Sequence, residues 1–512
     1  MPDSKSQNIH LLRFQPIRRV YDWLCSYEMQ VYNRAVQIPL LLVFLGLLFL
    51  ILASTSEWPS GGEDSFAHFL IAKYAFKHPE LFLNNWGKPV FTILSSPFAQ
   101  FGFFGIKVFN ILAAILSSYL VYLTARRLDV RFASLSIIFL IFCPIYFSSV
   151  PSGLTEILYG LLLILSIYLF LSRNFVLSSI VVSFLPFARS EGFLIILFFL
   201  FLLLVRKENK AILFLLVGPV IFNTIGFLHS GELFWIITSN PYYQVYSADI
   251  LFSSGSPLVY IKGLHNYFGI PLLTLLILGF LYLIKERIWK PSKLREDYYL
   301  EQVVLLYGIF TFHLILISYG TWKGAIPWGG DVPRFVAAVV PLSAIICLHG
   351  FSTLSEFLFS KDSAKKYFAV FFSFGVALYS LPINPVNRHS LPIELGAKQE
   401  TLKEVAHWYQ SSDYKGRKVY LRSAYLIYLL GIDPYDPKEA EILRRSTKVN
   451  VIPKGSLIIW NGHINQSFGP ELSLFTNNPD FRLIKVFKPE DPVYVRINKE
   501  RYEFKMYIFL RL

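Results

Sequence analysis

Residues Ile38–Thr55 read IPLLLVFLGLLFLILAST, and Ser56–Asp64 continue SEWPSGGED. The first stretch is uncharged and long enough for a helix to cross a hydrocarbon layer of about 30 Å. It follows a polar lead, residues 1–37, without the short n-region of a signal peptide, and so reads as a retained span. Similar runs recur as far as about Ile383, whereas residues 388–512 have an ordinary polar composition. With 54% hydrophobic and 16% charged residues, 48 Phe and 30 Tyr, the chain reads as a polytopic α-helical membrane protein. Three segments follow: a cytoplasmic tail (1–37), a transmembrane domain (38–387) and a small soluble α/β domain (388–512) outside the membrane.

Basic residues order the spans. Arg13, Arg18, Arg19 and Arg34 keep the tail inside, so the first span, about 38–55, runs outward. Later spans are expected at about 104–124, 133–150, 155–172, 174–188, 192–205, 211–229, 268–284, 300–319, 334–352 and 367–384. This gives about 11 transmembrane helices, with each strongly basic loop on one side: Arg126, Arg127 and Arg131; Arg173; Arg206, Lys207 and Lys210; Lys285 to Arg295; and Lys361 to Lys366. The segment 174–188 is short for a crossing and contains Pro186.

The net charge of +14 is spread between apolar runs, which argues for topology and against nucleic acid as a partner. Cys25, Cys143 and Cys347 provide neither a disulfide framework nor a metal cluster. In the C-terminal segment a helix is expected over Leu402–Tyr409. Strands are expected at 418–421, 456–460, 481–487, 493–497 and 507–510, separated by turns such as Asn461-Gly462. Asn465-Gln466-Ser467 matches a glycosylation sequon.

On this topology the unusual polar residues gather at the outer surface: Glu63, Asp64 and His68; Lys88; Glu156; Arg189 and Glu191; His265; and Trp322, Lys323, Asp331 and Arg334. Charges at helix ends are costly unless paired or solvated, so a one-sided collection marks a candidate site. Residues 64–78 suit an interfacial helix, with Asp64 and His68 one turn apart. Asp64 stands near its N-terminus, where the helix dipole favours negative charge and the carboxylate can serve as a general base or as a cap. Glu156 opens a span, and can likewise be a cap. Arg189 sits in the turn Arg189-Ser190-Glu191-Gly192, where it can grip a phosphate or pair with Glu191. Lys323 and Arg334 flank the Trp- and Gly-containing loop 322–333, a setting suited to a sugar phosphate or to interfacial anchoring.

In this order these motifs resemble the GT-C superfamily of integral-membrane glycosyltransferases, which includes polyprenyl-phosphate-sugar-dependent mannosyl- and aminoarabinosyl-transferases. The resemblance spans roughly residues 38–384. It rests on Gly62-Glu63-Asp64 with His68 and Trp86-Gly87-Lys88-Pro89, on Ser152 to Glu156, on Ala188 to Gly192, and on Pro333-Arg334-Phe335. It implies inverting transfer of a sugar from a polyprenyl-phosphate donor to a hydroxyl of a glycan, lipid or protein acceptor. One of the acidic pair would be the base, Asp64 in preference to Glu63 because His68 lies one turn on, and Glu156 would orient the acceptor or assist the base. Arg189, Arg334 and Lys323 would face the donor phosphate, and His68, Lys88, Glu191, His265, Trp322 and Asp331 would line the substrate site. No metal cage is visible, so metal independence is expected, with a divalent ion as the alternative. The basic loops suit a bacterial inner membrane with the site and the C-terminal domain facing the periplasm. A transporter or flippase of lipid-linked sugars would place polar groups near the midplane of several spans. A scaffold would leave the acidic loop and the arginine turns without a role.

Overall fold

The computed structural model describes residues 31–239, 255–289, 298–324, 332–381, 391–497 and 500–512. Two units result, Met1–Phe49 and Leu50–Leu512. The first is helical from Val31, where helix Val31–Thr55 begins. The second contains the other described helices together with the C-terminal sheet.

A helix lies over each apolar run read from the sequence, but the count of eleven crossings is not confirmed. By length and composition six helices among the described residues can cross a membrane: Val36–Thr55, Phe103–Arg127, Asn209–Ser230, Val259–Ile284, Tyr299–Trp322 and Val340–Leu358. A seventh arises if Leu135–Ile141 and Pro144–Ser152, bent by 63° at Cys143, count as one broken span. Asp362–Ser380 is long enough at 19 residues but opens with Asp362, Lys365 and Lys366 and is not apolar enough; the others fall short in length. Thr155–Leu171 has 17 residues and at 1.5 Å per residue reaches about 26 Å, short of the hydrocarbon thickness. Segment 174–188 is two pieces, Phe175–Ser183 and Leu185–Ala188, parted just before Pro186. Large apolar side chains such as Leu213, Leu228, Phe371 and Phe374 lie exposed on helices, a surface suited to lipid.

Helix ends expected on one side do meet. On the basic side the fully buried Glu301 accepts hydrogen bonds from Arg173 (2.8 Å) and from Arg206 Nε (2.8 Å), and Arg131 pairs with Asp362 (3.1 Å). At the other ends Glu156, Arg189 and Arg334 come together. Arg173 and Arg189, which bracket segment 174–188, belong to different clusters, so this short segment links the two ends of the bundle.

The interfacial helix forms over Glu63–Tyr74, shorter than expected, with Phe66, Phe69 and Leu70 buried. Two carboxylates in its first turn complement the helix dipole, and Gly62 enters it at φ 58°, in the left-handed region that suits glycine. At Gly61 an added Cβ would fall 2.3 Å from Leu154 Cδ1, so any larger residue would push the Leu154 side chain aside. Phe66 stacks on Phe103 at 4.3 Å between centroids, tying the helix to the long helix behind it. In that second helix Lys107 is buried and donates to the carbonyls of Ala53 (2.8 Å) and Ser56 (2.9 Å), capping the preceding helix from the side. Lys107→Met should therefore leave these carbonyls short of a donor and cost about 1–3 kcal/mol. The expected drop in thermal midpoint can be read in detergent, and an unchanged midpoint would count against the cap.

The C-terminal sheet comprises β1 (Val419–Leu421), β2 (Ala440–Ile442), β3 (Leu457–Asn461), β4 (Phe481–Phe487) and β7 (Met506–Arg511), in the order β2-β1-β3-β7-β4. β1 runs parallel to β2 and β3, and β7 antiparallel to β3 and β4. A separate ribbon pairs β5 (Tyr494–Ile497) with β6 (Glu500–Glu503). One face packs Tyr420, Ile458, Trp460, Phe475 and Phe509 into a core, and helix Ala397–Ser411 contacts helix Ala424–Leu430. The sequon's Asn465 is 1% exposed, and its Oδ1 accepts from the Asn461 N–H at 2.7 Å.

Candidate active site

Four sequence segments converge to form a chain of ion pairs. Asp64, from the interfacial helix, accepts a hydrogen bond from an Nη of Arg334. Arg334 opens the short helix Arg334–Ala337; its other Nη donates to the Gly61 carbonyl (3.3 Å), and its Nε is 3.4 Å from Glu156 without hydrogen-bond alignment. Glu156, in the first turn of Thr155–Leu171, pairs with Arg189 at 2.7 Å, and Arg189 pairs with Glu191, also at 2.7 Å. The Phe335 ring lies 4.8 Å from the Arg189 guanidinium and 5.8 Å from that of Arg334, so an aromatic face serves both cations.

Exposure grades along this chain. The Glu156 side chain is 3% exposed and Arg189 9%, while Arg334 is 22% and Asp64 43% exposed. The inner members therefore form a buried framework, and Asp64 is the carboxylate that a substrate can reach. Burial raises the Glu191 carboxyl, but the Arg189 charge and hydrogen bond, with His313 adding to them, outweigh it and hold the group at about 2.

Lys88 reaches the same place from the loop before helix Pro89–Ala99. Its backbone is in the left-handed region at φ 67°, uncommon for a residue other than glycine, and its Nζ donates to Ser190 Oγ at 2.7 Å. Burial lowers its pKa to about 8, with Glu191 opposing that shift and Arg189 adding to it. His68 stacks on Trp86 at 4.6 Å and packs edge-on against Phe91; burial brings its pKa to about 4, so at neutral pH it is an uncharged ring packed behind Asp64.

Glu63 points elsewhere. Its carboxylate accepts from Ser423 Oγ (2.8 Å) and from the Tyr425 N–H (2.9 Å) of the C-terminal domain. His265 is exposed and hydrogen-bonded at 2.9 Å to its own helix, at the Lys262 carbonyl. Lys323 lies 4.4 Å over the Trp322 ring, both exposed, an arrangement typical of a membrane interface. Asp331 lies outside the described residues. One residue of the site carried no signal in the sequence: His313, fully buried in an apolar helix, hydrogen-bonds the Phe335 carbonyl at 3.0 Å and so helps place the segment bearing Arg334. Among the described residues no three His, Cys, Asp or Glu side chains are grouped closely enough to hold a metal ion. A separate cleft of about 610 Å³ lies beside β2, lined by Tyr420, Tyr435, Arg444, Thr447 and Lys448 among others.

No protein-family model and no curated protein sequence matches the chain. Solved structures do. ArnT from Cupriavidus metallidurans bound to undecaprenyl phosphate superposes with a TM-score of 0.59 at 10% identity, covering 94% of this chain and 99% of that one. The apo state of the same protein gives 0.57 at 10% identity, with 94% and 98% coverage. The Archaeoglobus fulgidus oligosaccharyltransferase in its apo form reaches only 0.45 at 13% identity, over 78% of this chain and 64% of that one, too little to add to the comparison. The chain thus has the fold of ArnT over 94% of its length, the architecture that the GT-C resemblance implied.

Proposed function

We propose that the chain is a membrane glycosyltransferase that moves a sugar from a polyprenyl-phosphate donor to an acceptor hydroxyl, with inversion. The observation that carries this reading is the graded chain Asp64–Arg334–Glu156–Arg189, a reachable carboxylate backed by a buried cationic framework. The ArnT fold, solved with undecaprenyl phosphate bound, supports a donor of that class. Asp64 takes the proton from the acceptor hydroxyl as its oxygen attacks the anomeric carbon. The bond from that carbon to the phosphate oxygen breaks on the opposite face, and the electron pair leaves with the polyprenyl phosphate. Arg334 and Lys88 are placed to offset the charge that grows on the phosphate. Arg189, already engaged by two carboxylates, holds the framework instead. The cleft beside β2 is a candidate surface for the acceptor, and the site faces the periplasm of a bacterial inner membrane.

The test is sugar transfer by purified protein from a panel of radiolabelled polyprenyl-phosphate sugars, with native lipids and extracts as acceptors. Turnover of one donor supports the reading; a panel that is neither bound nor turned over would sink it. We further expect turnover to persist in chelator, and loss restored by Mg²⁺ or Mn²⁺ would reverse that expectation. Lys88 gives a pH signature. Its charged form prevails below about 8, so the donor KM should rise as pH passes upward through that value, and Lys88→Arg should flatten the rise. A KM insensitive to pH between 7 and 9 would remove Lys88 from the phosphate site.

A further inference from the structure

Glu63 and Asp64 are neighbours in one helical turn, about 100° apart around the axis, and they hold different parts of the protein. Asp64 meets Arg334 of the helical bundle, while Glu63 accepts two hydrogen bonds from Ser423 and Tyr425 of the C-terminal domain. Burial pushes the Glu63 carboxyl above its ordinary value, with the Tyr425 and Ser423 hydrogen bonds pulling the other way. A half-buried acid at this contact depends on such donors to offset the loss of water. The same domain grips the far end of the helix: the Tyr74 hydroxyl donates to the Ile432 carbonyl at 3.2 Å, and Asp433 binds Lys77 at 2.8 Å and His78 Nε2 at 2.9 Å. Between these grips Tyr425 and Tyr428 pack on Phe66 with centroids at 4.7 and 5.2 Å.

We propose that the C-terminal domain acts as the splint of the catalytic helix: Glu63 is a positioning residue through which docking of that domain fixes where Asp64 stands. The inference rests on the glycosyl-transfer reading for its kinetic consequence, but the mechanical coupling is measurable without it. The helix is held at both ends and along one face by the domain, so loosening either grip frees the backbone that carries Asp64. Misplacement on the order of 1 Å at a reacting group lowers turnover by up to about 100-fold with little change in binding.

The experiment uses the full-length protein in detergent or nanodiscs, as wild type, Glu63→Ala, Glu63→Gln and Asp433→Ala. Hydrogen exchange is read by mass spectrometry over residues 64–74 and 424–430, and kcat and donor KM are measured in parallel. Glu63→Ala and Asp433→Ala should both speed exchange in the catalytic helix and lower kcat by roughly 10-fold or more with donor KM held within about twofold. Glu63→Gln removes the charge beside Asp64 but keeps an acceptor for Tyr425 and an amide for Ser423. It should restore slow exchange and most of the lost turnover. Equal loss in Glu63→Gln and Glu63→Ala would show that charge, not docking, matters, and would overturn the proposal. Unchanged exchange over 64–74 in Asp433→Ala would overturn it as well. Faster exchange there with wild-type kcat would reduce the contact to a purely structural one and also reject it. If the wild type turns over no donor, the glycosyl-transfer reading fails on its own, and exchange over 64–74 in Asp433→Ala still decides the coupling.

Discussion

Asp64→Asn is expected to lower kcat by about 10²–10⁴ while the protein folds normally. The asparagine has the same shape, and its Oδ1 can still accept from Arg334, so the pose of the helix is kept. What disappears is the ability to take a proton from the attacking hydroxyl. Because the Asp64 side chain is 43% exposed, its pairing with Arg334 is worth only about 0–1 kcal/mol, and the thermal midpoint should barely move. Single-turnover transfer from a labelled donor separates the chemical step from product release. An Asp64→Asn protein that transfers sugar at the wild-type rate would remove Asp64 from the base role.

Arg189→Leu should act in the opposite manner, through stability first. The arginine is the 2.7 Å partner of both Glu156 and Glu191, whose side chains are only 3% and 16% exposed. Removing it strands Glu191 and leaves Glu156 to the looser 3.4 Å contact with Arg334 in a low-dielectric setting, a class of change that costs about 3–5 kcal/mol. The pH dependence should change with it. In the wild type the depressed Glu191 carboxyl contributes stability at neutral pH. That contribution is lost as pH falls from its ordinary 4.5 through about 2. Without Arg189 burial dominates and raises the carboxyl, so the variant should gain stability as pH drops from neutral and the group takes up a proton. Thermal midpoints measured from pH 8 down to pH 5 test the loss at neutral pH and the variant's gain on acidification. A midpoint equal to wild type at pH 7 would mean that Arg189 is dispensable to the framework.

Much of this architecture is legible in linear order because it is written in long repeats of one property. Uncharged runs mark helices whatever their partners, and short β-branched and aromatic runs mark β1, β3, β4, β5 and β7. β2 and β6, three and four residues long and partly acidic, have no such signal and exist because neighbouring strands pair with them. Crossing the membrane is a different property from being apolar and helical, which is why Thr155–Leu171 and Phe175–Ala188 are recognisable as helices but not countable as spans. At the site, residue types and sidedness bring Asp64, Glu156, Arg189, Glu191, Lys88 and Arg334 to one place, yet their pairing joins residues up to 270 positions apart. The different partners of Glu63 and Asp64 could not be read either, since adjacent acids look alike until each has a partner. Trp322, Lys323 and His265 share the composition of a binding loop, but the first two stack on each other and His265 binds the carbonyl of Lys262 in its own helix. His313 was invisible because its partner, the Phe335 carbonyl, is backbone.

Asn465 shows how a fold can withdraw what a sequence advertises. Its amide is 1% exposed, and its carbonyl oxygen secures the turn at Asn461 that ends β3. A transferase enzyme acting on this asparagine would need the side chain extended into its own active site, which the folded turn forbids. A sugar found at this position would therefore date the event to a time before the C-terminal domain closed, and would mark a chain unable to rebuild that turn.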